Sequence, residues 1–530
     1  MHTPALLPDL LAQSAERWPH ADALRSDGRT IAYGTLQAAV TAHRDGLLGL
    51  DVGRADRVAI WLDKSPETVI ACFGAAAAGG VFVPVNPVLK PGQVVHVLAD
   101  SGAKVLVTSS QRMALLAPLL RGCPALKHVV LTDPANAMPD GRPEGVALHG
   151  WHALASGKAR PAHRVIDTDM AAILYTSGST GLPKGVVLSH RNLVAGATSV
   201  SSYLENHPGD TLLAALPLSF DAGFSQLTTG FHSGACVVLL NYLLPRDVLR
   251  SMERERVTGI TAVPPLYIQL ASLDWPPAIG EHLRYFANTG GHMPRETLAA
   301  LRRRVPQARP FLMYGLTEAF RSTYLPPHEV ERRPDSIGKA IPNAEILVLR
   351  EDGTPCAPDE PGELVHRGAL VSMGYWNDPE RTAERFRVLP AMASGLPLPE
   401  TAVFSGDTVR MDSDGFLYFI GRRDEMIKSS GYRISPTEVE ELLYETGLVG
   451  ECAALGVAHP ALGQAVHVVV TPTSGGGLDV EQLMAACRAR MPAYMVPAHV
   501  YVKEGPLPRN PNGKIDRKLL AAYSEQFHDH

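Results

Sequence analysis

The sequence predicts an α/β protein with a large N-terminal domain of several sheets and a small mobile α+β domain at the C-terminus. Through about the first 420 residues, short apolar runs of strand length alternate with stretches of helical length. This is the βαβ rhythm of parallel sheets covered by helices. From residue 424 onward, a smaller mixture of helices and strands has the length of a second domain, and motion between two such domains is the usual expectation. The 530 residues allow several domains' worth of core.

In the N-terminal half, the runs 56–62, 103–109 and 127–133 predict buried strands, because each is short and rich in aliphatic residues. Segment 65–79 has helical length and starts with Ser-Pro, which predicts a helix. The most membrane-like stretch, 68–85, contains a glycine pair and ends in β-branched residues and a proline. We therefore expect a buried helix that runs into a buried strand, and no integral membrane segment.

A different pattern begins near residue 340 and predicts a β-rich subdomain beside two α/β subdomains. Segments 344–356 and 362–368 have strand character, and 410–422 predicts a hairpin around Asp414-Gly415.

After the β-rich part, helices and strands are predicted again on a smaller scale. The predicted elements are helices at 435–446 and 478–490 and strands at 452–459 and 464–472. We expect an N-terminal domain over 1–423 and a C-terminal domain over 424–530.

Composition excludes several classes of protein. With 45% hydrophobic and 19% charged residues, the chain is typical of a soluble globular protein. The net charge of −5 offers no basic excess for nucleic acid, so no nucleic-acid partner is expected. Six dispersed cysteines without a C-x-x-C pair indicate neither a zinc site nor a disulfide framework, and they suit a reducing cytosol. The N-terminus lacks the features of a signal peptide, so we expect a cytoplasmic protein.

Residues 174–185 read LYTSGSTGLPKG and raise the question of phosphate binding. The stretch does not match the G-x-x-x-x-G-K-[ST] loop, since Pro183 stands in place of the second glycine and Lys184 precedes glycine. It also joins two predicted strands, 170–176 and 185–190, so that no helix dipole is available. Its hydroxyls, its backbone N–H groups and Lys184 suffice to wrap a polyphosphate; the alternative is a solvated hairpin loop.

Several motifs together give this chain a family resemblance. In order and spacing they are similar to those of the adenylate-forming superfamily, which includes AMP-forming acyl-CoA ligases, amino-acid adenylation domains of peptide synthetases and luciferases. The matching segments are 175–190, 314–319, 362–382, 405–440 and 508–520. The resemblance implies that a carboxylate attacks the α-phosphate of MgATP to give an acyl-adenylate and pyrophosphate. A thiol of coenzyme A, or of a carrier protein's phosphopantetheine, then displaces AMP.

The resemblance implies a role for each matched residue. The nucleotide-binding residues of the loop are Thr176, Ser177, Gly178, Ser179, Thr180 and Gly181. Lys184 is a catalytic cation on the β- and γ-phosphates, Thr317 contacts phosphate, and Glu318 is the magnesium ligand.

Other matched residues surround the nucleoside. By the same resemblance, Tyr314 packs on adenine and Asp407 takes both ribose hydroxyls. Arg422 stands near ribose and phosphate. The glycines at which backbone closely approaches the nucleotide are Gly290, Gly291 and Gly315.

Lys514 is the catalytic lysine by resemblance, bridging the acyl carboxylate and the α-phosphate in the first step only. Read alone, its segment is a turn with an exposed lysine. Asp424 marks the family's hinge, about which the C-terminal domain withdraws Lys514 and brings in 428–434. Gly431 then lets the pantetheine arm pass, and Lys428 assists the electrostatics.

The acyl-pocket candidates are Phe220, Asp221 and Arg321. Many fatty- and aryl-CoA ligases carry a histidine where this chain has Phe220. An aromatic followed by aspartate resembles amino-acid adenylation domains, in which the aspartate pairs with the α-ammonium. The alternative for Asp221 is a solvent-facing carboxylate at a strand end. Arg321 either meets an anionic part of the substrate or pairs with Asp221 in its absence.

Two departures and a narrower resemblance complete the prediction. Leu312 stands where relatives often place an amide that contacts adenine, so that contact is in question.

Segments 216–230, 288–294 and 311–327 resemble the exosortase A-associated acyl-CoA ligases. The expected activity is AMP-forming acyl-CoA ligation of an amino acid or short acyl acid by a monomer or homodimer. The alternatives are loading of a stand-alone carrier protein, and a non-catalytic nucleotide-binding relative.

Overall fold

A computed structural model describes most of the chain. The described residues are 3–133, 145–155, 159–176, 183–389, 400–422, 425–429, 432–459, 462–473, 477–511 and 513–526. Their strands are β1 (Asp22–Ser26), β2 (Arg29–Ala32), β3 (Arg57–Trp61), β4 (Val81–Pro84), β5 (Val105–Thr108), β6 (His128–Leu131), β7 (Ala147–Gly150), β8 (Met170–Thr176), β9 (Lys184–Ser189), β10 (Thr211–Ala214), β11 (Cys236–Leu239), β12 (Gly259–Ala262), β13 (Tyr285–Asn288), β14 (Arg309–Tyr314), β15 (Thr323–Leu325), β16 (Ser336–Ala340), β17 (Ala344–Leu349), β18 (Gly362–Gly368), β19 (Phe386–Val388), β20 (Thr401–Met411), β21 (Leu417–Arg422), β22 (Ile427–Ser429), β23 (Tyr432–Ile434), β24 (Val449–His459), β25 (Gly463–Pro472) and β26 (His499–Val502).

The helices alternate with these strands as the sequence predicts, which confirms the α/β class. They are α1 (Leu7–Arg17), α2 (Tyr33–Gly49), α3 (Pro66–Ala77), α4 (Pro91–Ser101), α5 (Ser110–Leu116), α6 (Trp151–Ala155), α7 (His190–Leu204), α8 (Asp221–Ser233), α9 (Pro245–Arg254), α10 (Pro264–Ala271), α11 (Pro277–His282), α12 (Arg295–Arg304), α13 (Pro379–Arg385), α14 (Pro436–Tyr444), α15 (Val480–Arg490) and α16 (Arg517–Gln526). Short 3₁₀ turns cover Ala117–Gly122, Thr317–Ala319 and Pro327–Glu329.

The first sheet has the order β7-β6-β5-β3-β4-β8-β9. Its strands pair in parallel except β8 and β9, which form an antiparallel hairpin in which Thr176 faces Lys184. The predicted strands at 56–62, 103–109 and 127–133 are confirmed as β3, β5 and β6. Two paired strands, β8 and β9, therefore flank the polar segment, as predicted.

The second sheet is larger than the sequence pattern suggested. Its fourteen strands run in the order β17-β18-β20-β21-β16-β15-β14-β13-β12-β10-β11-β1-β2, with β19 paired to β20. Strands β10 to β14 are parallel, whereas the strands beyond β14 are antiparallel. The predicted β-rich part is thus continuous with an α/β sheet, because β16 pairs with β15 on one side and β21 on the other.

The third sheet belongs to the C-terminal region and has the order β23-β22-β25-β24, with β26 beside β25. Helices α14 and α15 contribute Val439, Leu443 and Leu483 to its own hydrophobic core. Asp424 and the predicted 423/424 boundary lie outside the described residues, so that boundary stays a prediction.

Local signals explain the helix that the most apolar stretch forms. Pro66 opens α3, and the Ser65 hydroxyl accepts a hydrogen bond from the Thr68 backbone N–H. The helix ends before β4, and both elements are buried, as predicted. Among the helices of the described residues, none has both the length and the apolar character required to cross a bilayer.

Candidate active site

The C-terminal region places Lys514 against the N-terminal sheets. Asn510 shapes its turn, since the Asn510 side-chain carbonyl accepts from the Lys514 N–H at 3.1 Å. The Lys514 side chain is half-buried, with Nζ 5.7 Å from the centre of the Phe220 ring. Burial lowers the pKa of the Lys514 ammonium, and the Asp221 carboxylate opposes that shift. The expected turn is therefore present, but the reading of Lys514 as an exposed lysine is wrong.

Three contacts between the two regions hold Lys514 in this position. The Asn86 side-chain amide donates to the Pro511 carbonyl at 2.8 Å, within the turn that carries Lys514. Glu441 of α14 accepts from the Arg295 backbone N–H at 3.0 Å and lies 2.7 Å from Nε2 of His292. The C-terminal region is thus docked with the turn that carries Lys514 against the N-terminal sheets.

Lys184 and Glu318 meet at the end of the β8–β9 hairpin. The Lys184 ammonium donates to Oε1 of Glu318 at 3.3 Å and to the Tyr375 hydroxyl at 2.9 Å. The Tyr375 hydroxyl in turn donates to the same Glu318 oxygen at 2.6 Å. Burial works to raise the pKa of Glu318, but Lys184 and Tyr375 outweigh it, so this pKa lies below its ordinary value. The result is an ionised carboxylate beside a cation.

These residues suit a magnesium nucleotide. Magnesium favours one or two carboxylates together with substrate phosphates, and Glu318 offers an ionised carboxylate next to Lys184. Thr176 lies opposite Lys184, and its buried hydroxyl has no hydrogen-bond partner among the described residues. Thr317 is buried at the start of a 3₁₀ turn. The predicted loop residues Ser177, Gly178, Ser179, Thr180 and Gly181 lie outside the described part of the chain.

A second cluster joins Tyr314, Asp407 and Arg422. The Tyr314 hydroxyl donates a short hydrogen bond to Oδ2 of Asp407. The other oxygen, Oδ1, is buried, lies 3.8 Å from Nη1 of Arg422 and has no hydrogen-bond partner within the described ranges. Burial raises the pKa of Asp407, whereas Arg422 and Tyr314 oppose that rise. An acceptor left open in this way fits a ribose hydroxyl.

The glycines at the predicted adenine site stand where side chains would collide. Gly290 has φ +77°, and a Cβ there would lie 3.0 Å from Cε of Lys514. A Cβ on Gly291 would meet Pro264 at 3.2 Å, and one on Gly315 would meet the Arg321 backbone at 3.2 Å. Gly290 is therefore the glycine that makes room for the Lys514 side chain.

Asp221 and Arg321 form a buried ion pair. Asp221 is the first residue of α8, and its Oδ2 lies 3.4 Å from Nη1 of Arg321. Both side chains are at most 4% exposed, so the solvent-facing alternative for Asp221 is wrong. Burial raises the pKa of Asp221, with Arg321 and Lys514 acting against it. The pairing of Arg321 with Asp221 is the second of the two predicted arrangements.

A strained turn aims Arg321 at its partner. Phe320 has φ +54° and ψ −40°, and the Arg321 N–H donates back to the Ala319 carbonyl at 2.6 Å. This is a γ-turn with positive φ, an uncommon and strained conformation for a bulky residue. The fully buried Phe320 ring packs where Gly196 of α7 lacks a side chain. Packing of the Phe320 ring thus stabilises the strained turn, and the turn orients Arg321 toward Asp221.

Of the residues predicted for the thiol step and the hinge, the structure describes Lys428. Lys428 is exposed on β22, and its backbone N–H donates to Gln464. Gly431 and Asp424 fall outside the described residues. The structure therefore places Lys514 beside Phe220, with Lys428 exposed to solvent.

Two residues of the site were missed in the sequence. Tyr375 lies 191 positions from Lys184, and only its place in the matched segment 362–382 could have indicated it. Asn288 pairs with Leu312 across β13 and β14, and its buried Oδ1 has no partner in the described residues. Asn288 therefore offers, one strand away, the amide that Leu312 lacks.

Comparisons with known proteins identify the family of this chain. The sequence profile described as AMP-binding enzyme matches residues 11–376, and that of the AMP-binding enzyme C-terminal domain matches residues 438–514. Fold and site together define an enzyme of the adenylate-forming class. The chain belongs to the AMP-binding enzyme family.

Several relatives cover almost the whole chain. Feruloyl-CoA synthase from Amycolatopsis sp. is 31% identical over 94% of this chain and 94% of its own length. The L-proline–[L-prolyl-carrier protein] ligase of Pseudomonas fluorescens is 30% identical over 98% of this chain and 99% of its own length. O-succinylbenzoate coenzyme A synthetase from Bacillus subtilis, solved with ATP and magnesium ion, superposes with a TM-score of 0.79 at 27% identity. The match covers 96% of this chain and 98% of that synthetase. The chain spans only 6% of a much longer relative, a linear gramicidin synthase from Brevibacillus parabrevis, at 31% identity over 96% of this chain.

Proposed function

We propose that this protein, an AMP-forming acid–thiol ligase, activates a small amino or short acyl acid and transfers it to coenzyme A. The observation that supports this most strongly is the position of Lys514. A C-terminal turn brings its ammonium next to Phe220 and into the electrostatic reach of both Asp221 and Asp407. One cation therefore faces the candidate acyl pocket and the candidate ribose site together.

The residues present suggest how the first half-reaction proceeds. The open oxygen of Asp407 would hold ribose, while Lys184, Thr176 and Glu318 would hold the phosphates and magnesium. Magnesium, when bound, would neutralise charge that develops on the phosphates. An oxygen of the substrate carboxylate attacks the α-phosphorus, and the bond from that phosphorus to the pyrophosphate oxygen breaks. In this proposal the Lys514 ammonium orients the reacting anions and stabilises the negative charge of the transition state.

The second half-reaction requires a different arrangement. The thiol gives its proton to water, its sulfur attacks the acyl carbon, and the bond from that carbon to the AMP oxygen breaks as AMP leaves. We propose that the C-terminal domain, 424–530, rotates about Asp424 relative to 1–423. The rotation exchanges Lys514 for Lys428 and Gly431. The exposed position of Lys428, with Lys514 docked, supports such an alternation.

Asp221 points the substrate proposal toward amino acids. A buried carboxylate is costly without a cation, and Arg321 is held only at 3.4 Å in a single-oxygen contact. A substrate ammonium would complete the neutralisation of Asp221 beside the carboxylate that Lys514 receives. The similarity to a prolyl-carrier-protein ligase supports the alternative acceptor, a stand-alone carrier protein carrying phosphopantetheine.

The test is pyrophosphate exchange into ATP driven by a panel of amino acids and fatty acids. We expect exchange with an amino acid, and Lys514→Ala should lower it by about a hundredfold or more. Unchanged adenylation by that variant contradicts the role of Lys514, and exchange with fatty acids alone contradicts the role of Asp221. AMP release stimulated by coenzyme A, but not by a carrier protein, would decide between the two acceptors.

Three further statements complete the proposal. We infer a cytoplasmic location, because all six cysteines are free thiols, which suits a reducing compartment. The resemblance to exosortase A-associated ligases stays a prediction. A monomeric or homodimeric state also stays a prediction, which sedimentation would test.

A further inference from the structure

A small cavity lies directly behind the Asp221–Arg321 pair. Helices α7 and α8 close it on one side, and strands β10, β12, β13 and β14 on the other. Arg321 lines it, as does Ala222, which follows Asp221 in α8, so the cavity borders the Asp221–Arg321 pair. Its volume is about 20 Å³. Since one water needs roughly 10–15 Å³ of such space, the cavity holds a group about as large as one or two waters.

Three polar atoms with no partner among the described residues belong to side chains that line this cavity. They are Oε1 of Gln226, Oγ1 of Thr229 and Nε of Arg321. All three residues are buried, with 7%, 2% and 3% exposure. The Gln226 amide nitrogen donates to the carbonyls of Leu213 at 2.7 Å and Thr261 at 3.3 Å. Those two bonds settle which end of the amide stays open, so Gln226 presents an acceptor.

The open atoms define the chemistry of an occupant. An apolar group would leave a donor, an acceptor and a hydroxyl buried and unpaired, and such groups strongly disfavour the complex. An anion would pair with Arg321 but would meet the lone pairs of Gln226 and the charge of Asp221. A cation would meet the Arg321 guanidinium. A neutral group that both donates and accepts satisfies Gln226, Thr229 and Arg321 together.

We propose that the acyl substrate carries a small neutral hydrogen-bonding side group, a hydroxyl or a carboxamide, and that this cavity selects it. The inference rests on the proposed function, because it assumes that the acid is activated beside Lys514. The side group accepts a hydrogen bond from Nε of Arg321 and donates one to Oε1 of Gln226. The Thr229 hydroxyl forms the third hydrogen bond to it. Together with Asp221, the cavity favours a hydroxy or carboxamide amino acid over its hydrocarbon isostere.

The experiment uses pyrophosphate exchange with the whole enzyme and isosteric pairs of acids. The pairs are threonine with valine, asparagine with leucine, and serine with 2-aminobutyrate. We expect the polar member of at least one pair to exceed its partner in kcat/KM by about tenfold or more. Equal or better exchange with valine, leucine, 2-aminobutyrate or fatty acids overturns the inference, while adenylation itself stands. Absence of exchange with every acid overturns the proposed function, and the inference falls with it.

A matched pair of variants ties the preference to the cavity. Thr229→Val removes the open hydroxyl and should reduce the polar-to-apolar ratio by about threefold to tenfold. Thr228→Val is the control, since Thr228 is equally buried on α8 but bonds the Ser225 carbonyl of its own helix at 3.2 Å. It should leave the ratio unchanged. If the polar-to-apolar ratio of kcat/KM changes equally in both variants, or in neither, the assignment of the cavity is overturned. Equal thermal unfolding temperatures show that both variants fold.

Discussion

Replacing Gly290 by alanine tests whether this glycine exists to make room for Lys514. The new Cβ would lie 3.0 Å from Cε of Lys514 and 3.3 Å from Val263. Carbon atoms in contact prefer about 3.5 Å or more, so the lysine tip has to retreat by roughly 0.5 Å. Because a misplacement of about 1 Å costs around a hundredfold in rate, we expect about a tenfold loss of kcat for adenylation.

The backbone cost of that change has its own control. Gly28 has the same φ of +77°, but a Cβ there meets nothing within 4 Å. Both Gly290→Ala and Gly28→Ala place an L-residue in the left-handed region, at about 1–2 kcal/mol of stability each. We therefore expect the two variants to unfold at similarly lowered temperatures, whereas only Gly290→Ala loses adenylation.

Two kinetic measurements distinguish displacement of the lysine from obstruction of the adenine site. Pyrophosphate exchange reports adenylation, and thioester formation from a synthetic acyl-adenylate reports the second step. In the proposed mechanism Lys514 serves the first step only, so Gly290→Ala should leave the second step unaltered. A higher KM for ATP with unchanged kcat would show that alanine obstructs adenine instead. That outcome, or equal loss in both steps, refutes the reasoning.

The remaining predictions concern other parts of the site and its support. Asp221→Asn leaves the buried Arg321 guanidinium without its charge partner, and we expect it to lower the free energy of unfolding in urea by about 3 kcal/mol. The double variant Asp221→Asn/Arg321→Met should recover most of that loss. Equal losses in the single and the double variant would contradict the pairing. Tyr375→Phe removes the hydroxyl that joins the phosphate-loop lysine to the candidate metal ligand, and should raise KM for MgATP about fivefold to tenfold with an unchanged circular dichroism spectrum. Burial lowers the pKa of Lys64 from 10.5 to about 7. The unfolded chain therefore holds a proton that the folded protein has lost, and stability should rise as pH is raised from 7 toward 10. In urea denaturation, Lys64→Met should remove most of this rise of the unfolding midpoint with pH. If the midpoints of the variant and the unsubstituted protein rise with pH in parallel, Lys64 is not the cause.

Much of the fold was accessible from local patterns. The strands β3, β5 and β6 and the helix α3 follow from apolar runs and from a Ser-Pro start, because these signals act within a few residues. The pattern near residue 340 also marks a real change from parallel to antiparallel strands. It does not reveal that β15 and β16 join the two parts into one sheet, since strand pairing depends on partners distant in the chain.

The sequence by itself determined which residues are available for the chemistry: the polar loop ending in Lys184, Glu318, Asp407 and Lys514 are all legible as motifs. Only the tertiary structure decided how they are arranged. It buries Asp221 against Arg321, 100 positions away, and places Tyr375 between Lys184 and Glu318. It also docks Lys514 while Lys428 stays exposed. The physical reason is that burial, pairing and open hydrogen-bonding atoms arise where distant segments pack together, whereas motifs and periodicity record only what neighbours along the chain require.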